Sequence, residues 1–298
     1  MKSTLESLTE DARELARRAL ALLPDSGSVR WAECAAAVWV SGPLGAGFRA
    51  HGGVDDITLD DLLRIDDQKR RIEQNTRQFL AGLPANNVLL WGSRGTGKSS
   101  LVHALLNRYR EDGLRLVEVG RHRLAALPEI VRRLRDEPYR FVLFCDDLSF
   151  EAEDASYKEL KSALEGSVFK ASGNVLIYAT SNRRHLLPEY ASDNEHVKVG
   201  EGELHESEAV EEKISLSDRF GLWLSFYPFR QDAYLDVVAH WVTRLGRAHG
   251  LTVAWDDALR AEALRWALAR GVRSGRTAQH FARHWVGARL LAEVGGKP

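Results

Sequence analysis

Short apolar runs alternate with helical stretches through the middle of the chain. Residues 88–91, 114–119, 141–145, 175–179 and 222–226 are short, predominantly apolar runs, the pattern of parallel strands covered on both faces. Between them the apolar spacing becomes helical, over 66–81, where Ile72, Phe79 and Leu80 share one side, and over 101–110. Beyond Pro228 the strands stop. Helices are predicted at 231–248, 257–269 and 277–294, with Gly271 and Gly295-Gly296 as their ends. Upstream, Leu5, Leu8, Ala12, Leu15, Ala19 and Leu22 recur at helical spacing behind a Ser3/Glu6 capping box. A strand at 36–40 then runs into a glycine-rich turn at 41–47; no helical pattern follows those glycines, so they read as a hairpin turn and not as a phosphate loop. The predicted division is an N-terminal helix and strand/turn extension at 1–58, an α/β domain at 59–229 and a small helical domain at 230–298.

One segment carries chemistry directly. Gly92, Ser93, Arg94, Gly95, Thr96, Gly97, Lys98 and Ser99, followed by Ser100, match G-x-x-x-x-G-K-[ST] immediately after one predicted strand and before a predicted helix. Glycines let the backbone close around a phosphate chain, and its N–H groups gather at a helix N-terminus that favours anions. In that arrangement Lys98 reaches the β- and γ-phosphates of ATP and the Ser99 hydroxyl ligates Mg²⁺.

A strand ending in two acids, Asp146-Asp147, supplies the other half. Asp146 is positioned to hold the Mg²⁺ shell and Asp147 to orient water. The usual pair is Asp-Glu. An Asp is one methylene shorter, by about 1.5 Å, which leaves either a shifted water or a contribution from Glu151. The predicted strand at 114–119 lies between the two motifs, which points to P-loop ATPases with an inserted strand and away from nucleotide kinases. The strand at 175–179 ends in Thr180-Ser181-Asn182, a polar end at the same sheet edge. Asn182 there is a candidate γ-phosphate or water sensor.

Composition narrows the setting. With 41 Lys plus Arg against 42 Asp plus Glu in 298 residues, the formal charge is −1, which excludes a strongly basic nucleic-acid binder. Cys34 and Cys145 are the only cysteines, too few for a disulfide framework or a four-cysteine metal site. The absence of an apolar stretch of about 20 residues and of a basic, apolar leader gives the expectation of a cytoplasmic protein with no membrane partner. The near-zero charge conceals segregation: residues 201–212 hold six acids and no Lys or Arg, whereas 121–135 hold five Arg against one acid. Opposed patches of this kind suit head-to-tail subunit contacts. His280 and His284 lie four apart on a predicted helix, but with no further ligand nearby they read as packed or solvated.

Taken together, the motifs resemble those of the AAA+ ATPases over about residues 60–290. The strings 80–92, 144–150 and 211–228 are similar to an uncharacterised bacterial family, the domain of unknown function 815 family. The resemblance implies a P-loop NTPase fold, a parallel five-stranded sheet plus a small C-terminal helical lid domain. It implies Mg-ATP as ligand, a homo-oligomer, and slow ATP hydrolysis driving a switch or remodeller of an unidentified protein or nucleic-acid client. The alternative is a nucleotide-gated loader with little turnover. Within Leu216-Ser-Asp-Arg219-Phe220-Gly221 it makes Arg219 an arginine finger that completes a neighbour's site. Arg276 takes the lid-sensor position, with Arg273 as the other candidate. Ile65, in Leu63-Arg-Ile65-Asp66, would lie against the adenine.

Overall fold

The computed structural model describes residues 29–42, 45–53, 55–150, 155–165, 173–183, 186 and 217–295. The helix expected at 5–23, Glu151 and the acidic run at 201–212 lie outside the described residues. Strands β1 (Ala36–Gly42), β2 (Gly45–Ala50), β3 (Val88–Gly92), β4 (Leu114–Glu118), β5 (Arg140–Cys145), β6 (Val175–Ser181) and β7 (Leu222–Phe226) form a single sheet in the order β2-β1-β4-β5-β6-β3-β7. Every pairing is parallel except β1 with β2.

The central five strands are those the apolar runs predict. Their residues alternate between two cores: Val88, Leu90, Val142 and Phe144 face one side, Leu89, Phe141, Leu143 and Cys145 the other. Helices α1 (Asp66–Leu80) and α2 (Lys98–Tyr109) cover the first side, and α3 (Leu127–Leu134) and α4 (Ala155–Glu165) the second.

The sheet has seven strands where five were expected. The hairpin forms as its turn predicts, and β1 then extends the sheet by pairing with β4, Ala36 opposite Leu116 and Val38 opposite Glu118. What fastens it there is burial of Ala37 and Trp39, both fully covered among Leu124, Ile130 and Val131. Two arginines of the supposed basic patch complete the clamp. Arg123 Nη1 donates to Trp39 O at 2.6 Å, and Arg133 Nη1 to Ala46 O at 2.8 Å.

After β7 the chain is helical: α5 (Gln231–Ala248), α6 (Asp257–Ala269) and α7 (Gly275–Gly295). Tyr234 and Val238 of α5 pack with Phe281 of α7 and Ala263 of α6, and this apolar cluster continues onto the α1/α2 side of the sheet. Among the described residues no helix is long and apolar enough to cross a membrane.

Parallel register aligns the functional ends. Trp91 pairs with Ser181, Cys145 with Ala179 and Gly92 with Phe226, so the residues after β3, β5, β6 and β7 emerge at one edge. Gly92 sits there at φ +125°, and a Cβ on it would lie 2.0 Å from Phe226 O. Ser93 N donates to that same carbonyl at 2.9 Å. Gly92→Ala is therefore expected to cost about 2–5 kcal/mol of stability from backbone strain plus steric overlap, measurable by urea denaturation.

Candidate functional site

The loop 92–97 turns sharply into α2. Thr96 Oγ1 donates to Ser93 O at 2.7 Å, closing the loop on itself. Gly97, at φ 101°, precedes the helix, and no side chain caps it. The first N–H groups of α2 thus face the loop as unfilled donors, a ready anion cradle.

Lys98 opens α2 and is buried. Its Nζ donates to Gly92 O at 2.7 Å, Ser93 O at 2.8 Å and Asn182 Oδ1 at 3.3 Å. Burial pushes its pKa down to about 8; Asp146 and Asp147 oppose that shift, and Arg276 and Arg94 add to it. Because the folded pKa lies below the ordinary 10.5, the ligand-free fold carries a cost at pH values under about 8 that disappears as pH rises toward 10.5. Wild-type stability in denaturant should therefore increase across that window, and Lys98→Met should flatten the increase.

The two acids after β5 are organised by β6. Ser99 Oγ donates to Asp146 Oδ1 at 2.7 Å, and Thr180 Oγ1 donates to the same oxygen at 2.6 Å. Asp147 N donates back to Thr180 Oγ1 at 2.8 Å, and Leu148 N to Thr180 O at 2.8 Å. Held this way, Asp147 adopts φ 51°, a conformation Asp tolerates better than most residues. Its carboxylate accepts a hydrogen bond from Asn182 Nδ2. Two chains of contact result: Ser99–Asp146–Thr180 and Lys98–Asn182–Asp147. Thr180 has no role legible from the motifs beyond its place in a polar strand end, two residues before Asn182, yet its hydroxyl joins both acids.

These groups line a cavity of about 690 Å³. Its loop end holds 94–100, Asp146, Asp147, Thr180 and Asn182; Arg276, Gln279 and Arg283 of α7 face it. Arg276 N donates to Gly95 O at 3.0 Å, so α7 begins in contact with the loop. A Cβ on Gly95 would lie 2.9 Å from Ser274 Oγ. Arg273 does not line the cavity; its carbonyl accepts from Phe229 N at 2.9 Å. The other end is largely apolar, with Ile57, Leu62, Leu63 and Ile65 on one wall and Val237, Trp241 and Leu245 of α5 on the other, bordered by Asp55, Asp56, Asp61 and Arg244. Asp61, His240 and Arg244, which no spacing rule connects, meet at this end, where Asp61 and Arg244 also line the cavity. Burial pushes the Asp61 pKa up, but hydrogen bonds from Thr58, His240 and Arg244 outweigh that and hold it below the usual value.

The remaining sequence candidates fall elsewhere. Arg219 is exposed and precedes β7, whose first residue pairs with Val88 at the start of β3. It therefore lies at the opposite edge of the sheet from Gly92, about 17 Å away for a five-residue strand. His284 stacks on Trp266 with centroids 4.9 Å apart, and His280 is exposed. Cys145 is fully buried; burial, with Asp146 beside it, pushes the thiol up to about 12, so it is not a nucleophile.

Ser99 and Asp146 put two hard oxygens side by side, which fits Mg²⁺, an ion that takes its other ligands from water and phosphate. Among the described residues no group of three or more His, Cys, Asp or Glu forms a self-sufficient metal cage.

Over residues 32–289 the sequence matches the family described as "Protein of unknown function (DUF815)". The chain belongs to the DUF815 family. No curated protein matches it. Among solved structures, this DUF815 chain is similar to a RuvB variant from Thermotoga maritima, at 17% identity and TM-score 0.50, over 76% of this chain and 63% of that one. It is also similar to the ORC1 protein of Aeropyrum pernix, solved in complex with DNA, at 17% identity and TM-score 0.51, over 78% of this chain and 61% of the other. The DUF815 chain thus spans less than two thirds of the length of these proteins. At such identities the likeness shows the fold, which is that of the AAA+ P-loop ATPases.

Proposed function

We propose that this protein is a Mg-ATP-binding AAA+ ATPase that acts as a nucleotide-driven switch or remodeller, with hydrolysis completed by a neighbouring subunit. The observation that carries this reading is the pair of side-chain chains, Ser99–Asp146–Thr180 and Lys98–Asn182–Asp147, converging at the phosphate end of one cavity. Lys98, held in the ligand-free protein by two loop carbonyls and Asn182 Oδ1, transfers donors to the β- and γ-phosphates. The residues that would hold Mg²⁺ are Ser99 and Asp146. When bound, the ion would offset the charge of the phosphates. Asp147 orients the attacking water, Asn182 fixes Asp147, and Arg276 brings a cation from the helical domain to the γ-phosphate. The adenine lies between Ile65 and the α5 wall. Residues 230–298 serve as the lid, and Arg219, remote from its own loop, serves a second copy in a homo-oligomer.

A second reading has its own support. The carboxylate of Asp147, already short for its role, is engaged by Asn182, which suits a nucleotide-gated loader with little turnover. The client in either case is a protein or nucleic acid. ORC1 in complex with DNA makes DNA the first to try. Multiple-turnover ATPase measured with and without duplex DNA separates the readings. Turnover, stimulated or not, supports the ATPase; binding without turnover supports the gated module; no ATP binding overturns both.

A further inference from the structure

The apolar end of the cavity is built from two walls that belong to different parts of the fold. One is the segment 55–65, tied to α2 by Asn107 Nδ2, which donates to Asp55 O and Ile57 O, both at 2.8 Å. The other is α5. This helix presents two adjacent stripes at four-residue spacing. Val237, Trp241 and Leu245 line the cavity, whereas Asp236, His240 and Arg244 pair with the segment, Arg244 at the cavity's rim as a lining residue too.

Each residue of the polar stripe has a partner there. Asp236 pairs with Arg64, itself at φ 63°. His240 Nε2 lies 2.9 Å from Asp61 Oδ1, Arg244 ion-pairs with Asp61 Oδ2, and Arg244 Nη2 also donates to Asp56 O at 2.8 Å. Asp61 is the hub. Its side chain is 6% exposed, and it also accepts from Thr58 N and Thr58 Oγ1, both at 2.8 Å. A buried carboxylate with four donors from two parts of the fold is expensive to leave half-paired.

We propose that Asp61, with His240 and Arg244, is a latch that sets the separation of the two walls and so positions the base end of the nucleotide site. Asp61 and Arg244 also line this end of the cavity, but the pairing between them is what joins the walls: Asp61 acts as a positioning residue for Leu62 beside it and, through His240 and Arg244, for Trp241 on α5. The latch also fastens α5 at the base end while Arg276 N fastens α7 to Gly95 O at the phosphate end. The helical domain is thereby held at both ends of the cavity, and a ligand that fills only one end engages only one fastening. This inference rests on the proposed nucleotide site for its ligand, but not for its mechanics.

The test uses the full chain with Asp61→Asn and, as a second variant, His240→Gln, which keeps a donor where His240→Leu does not. In ligand-free protein, Asp61→Asn and His240→Leu should speed amide hydrogen exchange in 55–64 and in α5, with His240→Gln close to wild type. With ADP as probe, Asp61→Asn should weaken binding about tenfold or more, the effect of losing a charge-assisted contact, while inorganic tripolyphosphate binds as it does to wild type. Equal weakening of ADP and tripolyphosphate, or exchange unchanged in both disruptive variants, overturns the latch. If wild type binds no ADP, the nucleotide reading fails, and the exchange comparison still decides the latch.

Discussion

Lys98→Ala is expected to lower ATP turnover by about two to three orders of magnitude, the scale of removing a preorganised cation from a developing phosphoryl charge. Binding should suffer as well, since Lys98 is a buried cation at the phosphate end of the cavity. The fold should survive. In the ligand-free protein the ammonium is held by Gly92 O, Ser93 O and Asn182, but burial disfavours its charge. Losing three hydrogen bonds and losing a desolvated charge act in opposite directions, so the melting temperature should shift by only a few degrees. A steady-state assay beside a thermal melt checks both halves. Turnover comparable to wild type in a folded Lys98→Ala protein would remove the P-loop assignment.

The next largest effect is expected at Arg219. Arg219→Ala should reduce turnover about 10³-fold, the lower end of the arginine-finger range, with ATP affinity little changed. The reason is position: Arg219 precedes β7 and the P-loop follows β3, so its own site is out of reach across the sheet. The discriminating measurement mixes two inactive proteins. Asp147→Asn subunits carry an intact Arg219, Arg219→Ala subunits carry an intact site, and their mixture should recover activity that neither has alone. No recovery at any ratio, with mixed oligomers demonstrated by cross-linking, would rule out action in trans.

How much of this was visible in the chain follows from the range of the interactions. The five central strands and the helices at 231–248 and 257–269 were legible because burial on both faces, or on one stripe, is written in consecutive residues. The phosphate loop was legible because its backbone geometry demands particular residues at fixed spacing. The place of the hairpin was not. Its turn is local, but its attachment depends on Trp39 meeting α3 and on Arg123 and Arg133 spending their donors on hairpin carbonyls. Read as charge alone, those arginines suit a patch for subunit contacts; two of them instead hold carbonyls of the chain's own hairpin. The same holds for Thr180 and for Asp61, whose partners lie 34 and 179 residues away respectively. No spacing rule connects such positions, since only the parallel register and the packing of α5 bring them together.

Strand β7 has a mechanical consequence. At one end it carries the segment with Arg219; at the other, Phe226 O grips Ser93 N and blocks any side chain at Gly92. Five residues in continuous register with β3 separate the two, with no turn or flexible joint between. An axial push at the Arg219 end is delivered to the root of the phosphate loop with almost no slack. The strand is a strut as well as a sheet edge, so a load applied at its Arg219 end is felt at the edge that carries the loop 92–97.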